Sequence, residues 1–229
     1  MPRSIVVTLA AWFVLTAAPS GAQLPQGVSL QYQSTDEKSG TVLDVATITM
    51  APGDSASWVV EWRSQTTPQN TEDIWLDASL ATTAWRVRYA QDGYDYAGER
   101  IGDLLRIQGL LDGEEISKDV EIDDRPFYYN WQLGLVDFVR SGEEKRRFWT
   151  FRPDNQGVYS FEAQRKEDAI ITVNGREEHV TRVEWGLSGW RRTFYKGNQW
   201  HRTSDGYLVR ERRDDRILEL ISTSIGPHR

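Results

Sequence analysis

The sequence predicts a mostly β protein, built as one strongly curved antiparallel sheet of about a dozen strands that forms a half-barrel or a barrel, with one short helix near residues 131–140. Three observations support this prediction. Short segments with alternating apolar and polar residues recur about every 10 residues. Turn sequences rich in Gly, Asn and Asp separate them. The chain also lacks the regular alternation of strand-like and helix-like segments that a parallel α/β fold requires.

Residues 1–22 have the pattern of a cleaved secretory signal peptide. Arg3 precedes an uncharged, mostly apolar run from Ile5 to Ala18, and the small residues Ser20, Gly21 and Ala22 provide a cleavage site. This run is shorter than the roughly 20 residues that cross a bilayer as a helix, so a leader is favoured over an anchor. We therefore expect residues 23–229 to form a single β-rich domain, periplasmic or secreted, with no membrane span in the mature chain.

Composition narrows the possible functions. The sequence contains no cysteine, which excludes a disulfide framework, a zinc–thiolate site and a cysteine nucleophile.

Charge is distributed unevenly along the sequence: residues 23–124 carry 19 acidic and 7 basic residues, whereas residues 125–229 carry 15 acidic and 19 basic residues. Because phosphate binding requires a concentrated basic surface, we do not expect nucleic acid as a partner. The basic half is suited to an anionic headgroup or an acidic protein, unless the two halves only complement each other within the fold.

The first strands are predicted from apolar residues that recur at every second position. Trp58 and Trp62 share one face of the third segment, and Trp85 and Tyr89 share one face of the fifth. This alternation is typical of a sheet with one buried and one wet face. The predicted strands of this part are residues 29–34, 41–50, 57–63, 73–80 and 84–90.

One segment, 126–140, breaks the strand pattern. Trp131, Leu135 and Phe138 are spaced by four and three residues, which places them on one face of a helix. Asn130 is a suitable N-cap residue for that helix. We predict a strand or a turn up to residue 129 and a helix that begins at Trp131; a further strand is the alternative, because aromatic residues also alternate at the start of the segment.

The strand pattern then returns and continues to residue 222. Asn174-Gly175 is a strong hairpin signal, because a type I′ turn needs positive φ at both central positions. Lys196-Gly197-Asn198 and Ser204-Asp205-Gly206 are also predicted as turns. The strand-like segments of this part are residues 147–152, 158–163, 169–173, 180–185, 190–195, 200–203, 207–213 and 217–222.

The sequence predicts no catalytic residue, no metal site and no cofactor. His179, His201 and His228 do not have the spacing of metal ligands. The adjacent carboxylates Glu114-Glu115 and Asp123-Asp124 resemble a glycosidase pair only in composition, because neighbouring strand residues point to opposite faces. An exported hydrolase is one alternative function, and it requires His179 or His201 beside a carboxylate in a cleft.

The aromatic residues favour a non-enzymatic binding or carrier protein that holds a lipid or another apolar or amphipathic ligand. On a concave sheet face they would bind such a ligand by burial of apolar area, with arginines at the rim for an anionic headgroup. Two alternatives stay open: the aromatic residues only pack a closed core, or the protein is an envelope module that binds another protein. The predicted ligand-binding residues are Trp58, Trp62, Trp85, Tyr89, Trp149, Phe151, Arg192, Arg210 and Arg212.

Four short sequences in the C-terminal half carry a family resemblance: Asp124-Arg125-Pro126-Phe127-Tyr128, Ile171-Thr172-Val173-Asn174-Gly175-Arg176-Glu177, Trp190-Arg191-Arg192-Thr193-Phe194-Tyr195 and Asp205-Gly206-Tyr207-Leu208-Val209-Arg210. They resemble a family of uncharacterised exported half-barrel proteins of proteobacterial envelopes, which look like relatives of the outer-membrane lipoprotein carrier fold. The resemblance implies an open, strongly curved antiparallel sheet with helix cover. It transfers no catalytic residue, and the acidic first half of this chain departs from the lipoprotein carriers.

Overall fold

The N-terminal half of the chain forms a meander of eight strands. The computed structural model describes residues 27–53, 57–190 and 195–225, so the predicted signal peptide, Arg192 and His228 lie outside the described residues. The strands are β1 (Val28–Asp36), β2 (Val42–Pro52), β3 (Trp58–Ser64), β4 (Thr71–Leu76), β5 (Thr82–Tyr89), β6 (Tyr94–Ile101), β7 (Leu104–Leu111) and β8 (Glu114–Glu121).

A helix and a second meander complete the described part of the chain. Helix α1 (Trp131–Ser141) follows β8 after a nine-residue connection without regular strand structure. The strands after it are β9 (Lys145–Arg152), β10 (Gly157–Val173), β11 (Arg176–Leu187), β12 (Lys196–Arg202), β13 (Leu208–Arg213) and β14 (Arg216–Ile225).

The first and last described strands join the two meanders into one sheet. β1 pairs antiparallel with β14 from Val28 opposite Ile225 to Asp36 opposite Arg216. The strand order is therefore β8 through β1, then β14 through β9, and the 14-stranded sheet does not close on itself. The predicted mostly β, antiparallel, half-barrel-like architecture is confirmed, with a few more strands than the dozen expected.

The segment before α1 connects two distant parts of the sheet. Its backbone pairs with β9, since Trp149 N donates to Pro126 O and Tyr128 N donates to Trp149 O, both over 2.8 Å. On its other side Thr82 N, at the start of β5, donates to Phe127 O over 2.8 Å. These bonds bring the β9 end of the sheet close to β5. The sheet therefore curves as in an incompletely closed barrel.

Helix α1 occupies the space that this curvature encloses. The Asn130 side chain accepts a hydrogen bond from Leu133 N over 3.2 Å, as an N-cap does, and Gly142 ends the helix in the left-handed region. The helix is buried on two sides: Val136 belongs to the larger core inside the barrel, and Phe138 to a smaller core against β9–β11. The predicted helix is confirmed. No helix within the described residues is long and apolar enough to cross a membrane.

Turn chemistry was predicted well in one place and wrongly in another. Asn174 and Gly175 have φ angles of 49° and 75°, so the predicted β10–β11 hairpin is confirmed. Gly197, by contrast, lies within β12 instead of a turn. A Cβ at this position would lie 2.5 Å from the Trp185 ring, which shows that the glycine serves a close approach and not a reversal of the chain.

Candidate ligand-binding cavity

A row of neighbouring residues on the inner face of the sheet contains one acid. Trp62 in β3 pairs with Glu72 in β4, Glu72 pairs with Val87 in β5, and Val87 pairs with Tyr96 in β6. Paired residues of neighbouring strands point to the same face, so Glu72 belongs to the same face as these apolar and aromatic residues. Val87 and Tyr96 are fully buried, and the carboxyl group of Glu72 is therefore held against an apolar wall.

A cavity of about 320 Å³ lies in front of Glu72. Its other walls come from the start of α1, from the end of β9 and from the second meander. This volume is within the range of small-molecule sites, roughly 300–1,000 Å³. The lining residues are Glu72, Tyr129, Asn130, Trp131, Gln132, Phe151, Arg152, Pro153, Tyr195 and Arg213.

A second cavity, of about 490 Å³, shares Gln132 with the first. Tyr32, Ile48 and Trp62 are among its apolar lining residues, and Asp44 is among the polar ones. Both cavities touch the same glutamine of α1, and the second one is lined mainly by residues of strands β1–β3 and of the loop that follows β3.

Glu72 has a perturbed pKa because it is enclosed. Burial raises the pKa of its carboxyl group to about 7, and a hydrogen bond donated by the Tyr89 hydroxyl to Oε1 counteracts part of this effect. Within the described residues Glu72 forms no ion pair. A buried carboxylate that lacks a cationic partner is costly, so near neutral pH this group is divided between its protonated and ionised forms.

Tyrosines surround the carboxyl group. The Tyr96 and Tyr129 hydroxyls are 2.9 Å apart, and the Tyr129 ring stacks on Trp85 with centroids separated by 5.4 Å. Burial raises the pKa of both hydroxyl groups, so they stay neutral at physiological pH. They therefore supply neutral hydrogen-bonding groups and aromatic surface, and no compensating charge, to the site.

Two arginines flank Tyr195 on another part of the cavity wall. Arg213 Nη1 donates to the Tyr195 hydroxyl over 3.3 Å, and the Arg152 guanidinium lies 4.1 Å from the centre of the Tyr195 ring. Arg213 forms no ion pair within the described residues. The cavity therefore contains both a carboxyl group and guanidinium groups, with aromatic surface between them.

A buried carboxylate positions the first turn of α1. Glu211 Oε2 accepts a hydrogen bond from Gln132 Nε2 over 3.0 Å, and Trp131 Nε1 lies 3.5 Å from Glu211 Oε1. Glu211 and Arg213 are two residues apart in β13 and share a face. The helix residues that line the cavity are thus anchored to the strand that supplies one of its arginines.

The predicted aromatic residues have different positions relative to the cavities. Phe151 lines the first cavity and Trp62 the second. Trp85 is fully buried under Tyr129, and Tyr89 holds Glu72.

The other two predicted tryptophans have no described contact with the cavities. Trp58 packs at the margin of the larger core. Trp149 Nε1 donates to Asp123 over 2.7 Å, and the Arg125 guanidinium lies over its ring. A ligand-binding role for the six aromatic residues stays a prediction.

The predicted arginines are engaged elsewhere. Arg210 donates to Glu219 over 2.7 Å, and Arg212 donates to Glu37 over 3.0 Å. Both alternate with Arg213 along β13, so they belong to the opposite face of the strand from the cavity. Arg192 lies outside the described residues. The cavity arginines, Arg152 and Arg213, were not singled out from the sequence.

Glu72 was also missed, although the sequence contains a signal for it. Glu72 has the same parity as Ile74 and Leu76, which are buried on the inner face of β4. An acid in phase with apolar residues of a strand indicates an acid on the buried face. The pattern does not show which other strands meet that acid.

Neither described histidine lines the two cavities. His201 is fully buried, with Nδ1 2.8 Å from Gly206 O and Nε2 2.9 Å from Gln199 Oε1. Burial lowers the pKa of His201 to about 4. His179 is exposed on β11. Within the described residues, the arrangement that the hydrolase alternative requires is not formed by either side chain.

The comparisons with known proteins support the architecture. Neither a protein-family model nor a curated protein matches the chain. Among solved structures, the fold is similar to that of a β-barrel-like protein of the domain of unknown function DUF1849 from Brucella abortus, with a TM-score of 0.60 and 12% sequence identity. The similarity covers 89% of this chain and 99% of that chain. At this identity it shows the fold alone, and the predicted relation to lipoprotein carriers stays a prediction.

Proposed function

We propose that this chain is an exported, non-enzymatic binding or carrier protein that holds an amphipathic ligand, such as a lipid, in the space beside α1. The observation that supports this function is the cavity of about 320 Å³, whose wall combines aromatic rings with Glu72, Arg152 and Arg213. Aromatic surface binds an apolar chain by burial, and the charged groups orient a polar end. Export rests on the sequence pattern of residues 1–22.

A side-chain-lined cavity favours a binding protein over the envelope adaptor. An adaptor needs an exposed patch or a free sheet edge and no internal space. The space beside α1 is instead bounded by residues from both meanders and from the helix. A structure built around a side-chain-lined space of this size is suited to a small ligand.

Calorimetry with amphiphiles of one chain length tests the proposed function. We expect dodecyl compounds, titrated below their critical micelle concentrations, to bind the purified chain with a stoichiometry near one. Trp131→Ala removes an aromatic wall of the cavity and should weaken binding by about tenfold, equivalent to about 1.4 kcal/mol. Trp75→Ala is the matched control, because Trp75 is exposed and belongs to the opposite face of β4 from Glu72.

Native mass spectrometry provides a second measurement that needs no variant. A one-to-one complex of the wild-type chain with a co-purified or added amphiphile supports the proposal. If no dodecyl compound binds, or if the Trp75 variant loses binding as much as a folded Trp131 variant does, the cavity is not a ligand site and the proposed function is wrong.

A further inference from the structure

The cavity contains two groups of opposite charge that do not neutralise each other. Glu72 is hydrogen-bonded to the Tyr89 hydroxyl, and Arg213 is hydrogen-bonded to the Tyr195 hydroxyl. Within the described part of the chain, neither side chain forms an ion pair. Each of the two groups is thus hydrogen-bonded to a tyrosine hydroxyl, and both line the same cavity.

We infer that the polar end of the ligand is zwitterionic, with an ammonium group bound by Glu72 and a phosphate or carboxylate group bound by Arg213. This inference rests on the proposed function, because it names the chemistry of the ligand for that same cavity. A soluble zwitterion and the headgroup of a zwitterionic lipid share this chemistry.

The surroundings of Glu72 are suited to an ammonium group. The ring centroids of Trp62 and Tyr89 are 5.8 Å apart, and Tyr129 lines the cavity beside the carboxyl group. Aromatic rings attract cations through their quadrupole, and the attraction increases where water is excluded. A ligand cation would also supply the ion pair that the buried carboxylate lacks, which favours the ionised form of Glu72.

The surroundings of Arg213 are suited to an anion. Its described contact to Tyr195 uses one N–H, whereas a guanidinium group has five N–H donors in a planar fork that matches phosphate and carboxylate. Arg152 lies over the same tyrosine ring and adds a second positive charge. The nearby carboxylate of Glu211 instead accepts from the first turn of α1.

A neutral or singly charged ligand would leave part of this arrangement unused. An anionic ligand would leave the Glu72 carboxyl group without a cationic partner. A cationic ligand would leave the Arg213 guanidinium group without an anionic partner. Burial of an unpaired charge is unfavourable, so a ligand that pairs both groups gains affinity over one that pairs a single group. The arrangement therefore discriminates between headgroups as well as binding a chain.

Four dodecyl amphiphiles that differ only in the headgroup test the inference. They are dodecylphosphocholine, dodecyl sulfate, dodecyltrimethylammonium and dodecyl maltoside, each titrated calorimetrically below its critical micelle concentration. We expect the zwitterionic compound to bind roughly tenfold or more tightly than the other three. Phosphocholine without a chain identifies the source: its binding supports a soluble zwitterion, whereas binding of the dodecyl form alone supports a lipid.

Two substitutions separate the two halves of the headgroup. Glu72→Gln should weaken dodecylphosphocholine and dodecyltrimethylammonium about tenfold and leave dodecyl sulfate unchanged. Arg213→Gln should weaken dodecylphosphocholine and dodecyl sulfate similarly and leave dodecyltrimethylammonium unchanged. Glu61→Gln is the matched control for Glu72→Gln, on the neighbouring strand β3, and Arg212→Gln is the control for Arg213→Gln, on the same strand β13. Both control side chains are exposed and face away from the cavity.

The possible failures are distinguishable. If all four amphiphiles bind equally well and the two cavity substitutions change nothing, the zwitterion inference is wrong while the proposed binding function stands. If none of the four binds, the proposed function itself is wrong. The ranking of ligands on the wild-type chain needs no substitution, so it decides the question even if a variant does not fold.

Discussion

Glu72 is an acidic residue at a position of β4 where the other residues on the same face are apolar. Every other residue of its parity in β4 is apolar, and the Tyr89 hydroxyl is its only described side-chain hydrogen bond. The folded protein therefore binds a proton at Glu72 more tightly than the unfolded chain does, because burial disfavours the carboxylate. Retention of such a group at a cost in stability is typical of a functional position.

This raised pKa makes a prediction about stability and pH. Between the usual carboxyl pKa of 4.5 and about 7, the folded state holds a proton that the unfolded state releases, so the contribution of Glu72 to the free energy of unfolding falls as pH rises. Glu72→Gln cannot ionise. We expect it to be more stable than the wild type at pH 8 by about 1–3 kcal/mol, with a smaller difference near pH 4.

Urea unfolding at a series of pH values measures this difference. The other groups near Glu72 are the tyrosines Tyr89, Tyr96 and Tyr129, whose raised pKa values keep them neutral between pH 4 and 8. The cavity also contains Arg152 and Arg213. His201 titrates in both proteins and cancels in the comparison. Glu61→Gln is the exposed control and should show no such trend; a pH-independent difference for Glu72→Gln would contradict the raised pKa.

Helix α1 is an element whose ends were visible in the sequence and whose surroundings were not. Asn130 and Gly142 mark its two ends by local chemistry, a side-chain cap and a left-handed glycine. Its inner contacts come from strands far away in the chain, and Glu211 anchors Gln132. The helix thus joins the two meanders and provides a wall of the cavity.

The cap gives a prediction for this element. Asn130→Ala removes the acceptor of Leu133 N, and we expect the free energy of unfolding to fall by about 1 kcal/mol. Asn130→Ser keeps an acceptor in place and should recover most of the loss. Chemical denaturation followed by circular dichroism measures both variants; equal stability of the alanine variant and the wild type would show that the cap contributes nothing.

Strand boundaries illustrate where pattern-based prediction failed. The segment around Gly197 was predicted as a turn because glycine and asparagine favour turns. In the structure Gly197 pairs with Trp185 across β11 and β12, and the missing side chain makes room for the indole ring. Gly98 opposite Trp85 has the same role, since a Cβ there would lie 2.1 Å from that ring. Local sequence does not distinguish these two uses of glycine.

The whole molecule is held together by contacts between distant parts of the chain. β1 pairs with β14 over its full length, and the larger core combines side chains of both meanders and of α1. Such non-local pairing closes large loops, which is entropically costly and makes folding slow. Once formed, a shared core couples the two meanders.

This coupling predicts a single cooperative unfolding transition. Ile74→Ala in the first meander and Leu208→Ala in the second should each lower the free energy of unfolding by about 2–5 kcal/mol. We expect far-ultraviolet circular dichroism and tryptophan fluorescence to give coincident urea midpoints in both variants. Two separate transitions, with each variant shifting only one of them, would show that the meanders unfold independently.

The sequence alone determined the local structure: the alternating strands, the Asn174-Gly175 hairpin, the capped helix and the predominance of an antiparallel sheet. These features follow from backbone and side-chain preferences over a few residues. Only the tertiary structure decided that Glu72, Arg213, Phe151 and the start of α1 surround one cavity, and that Arg210 and Arg212 do not. The physical reason is that the pairing of β1 with β14 and the curvature of the sheet depend on packing between segments far apart in the chain, and no local pattern records which faces then meet.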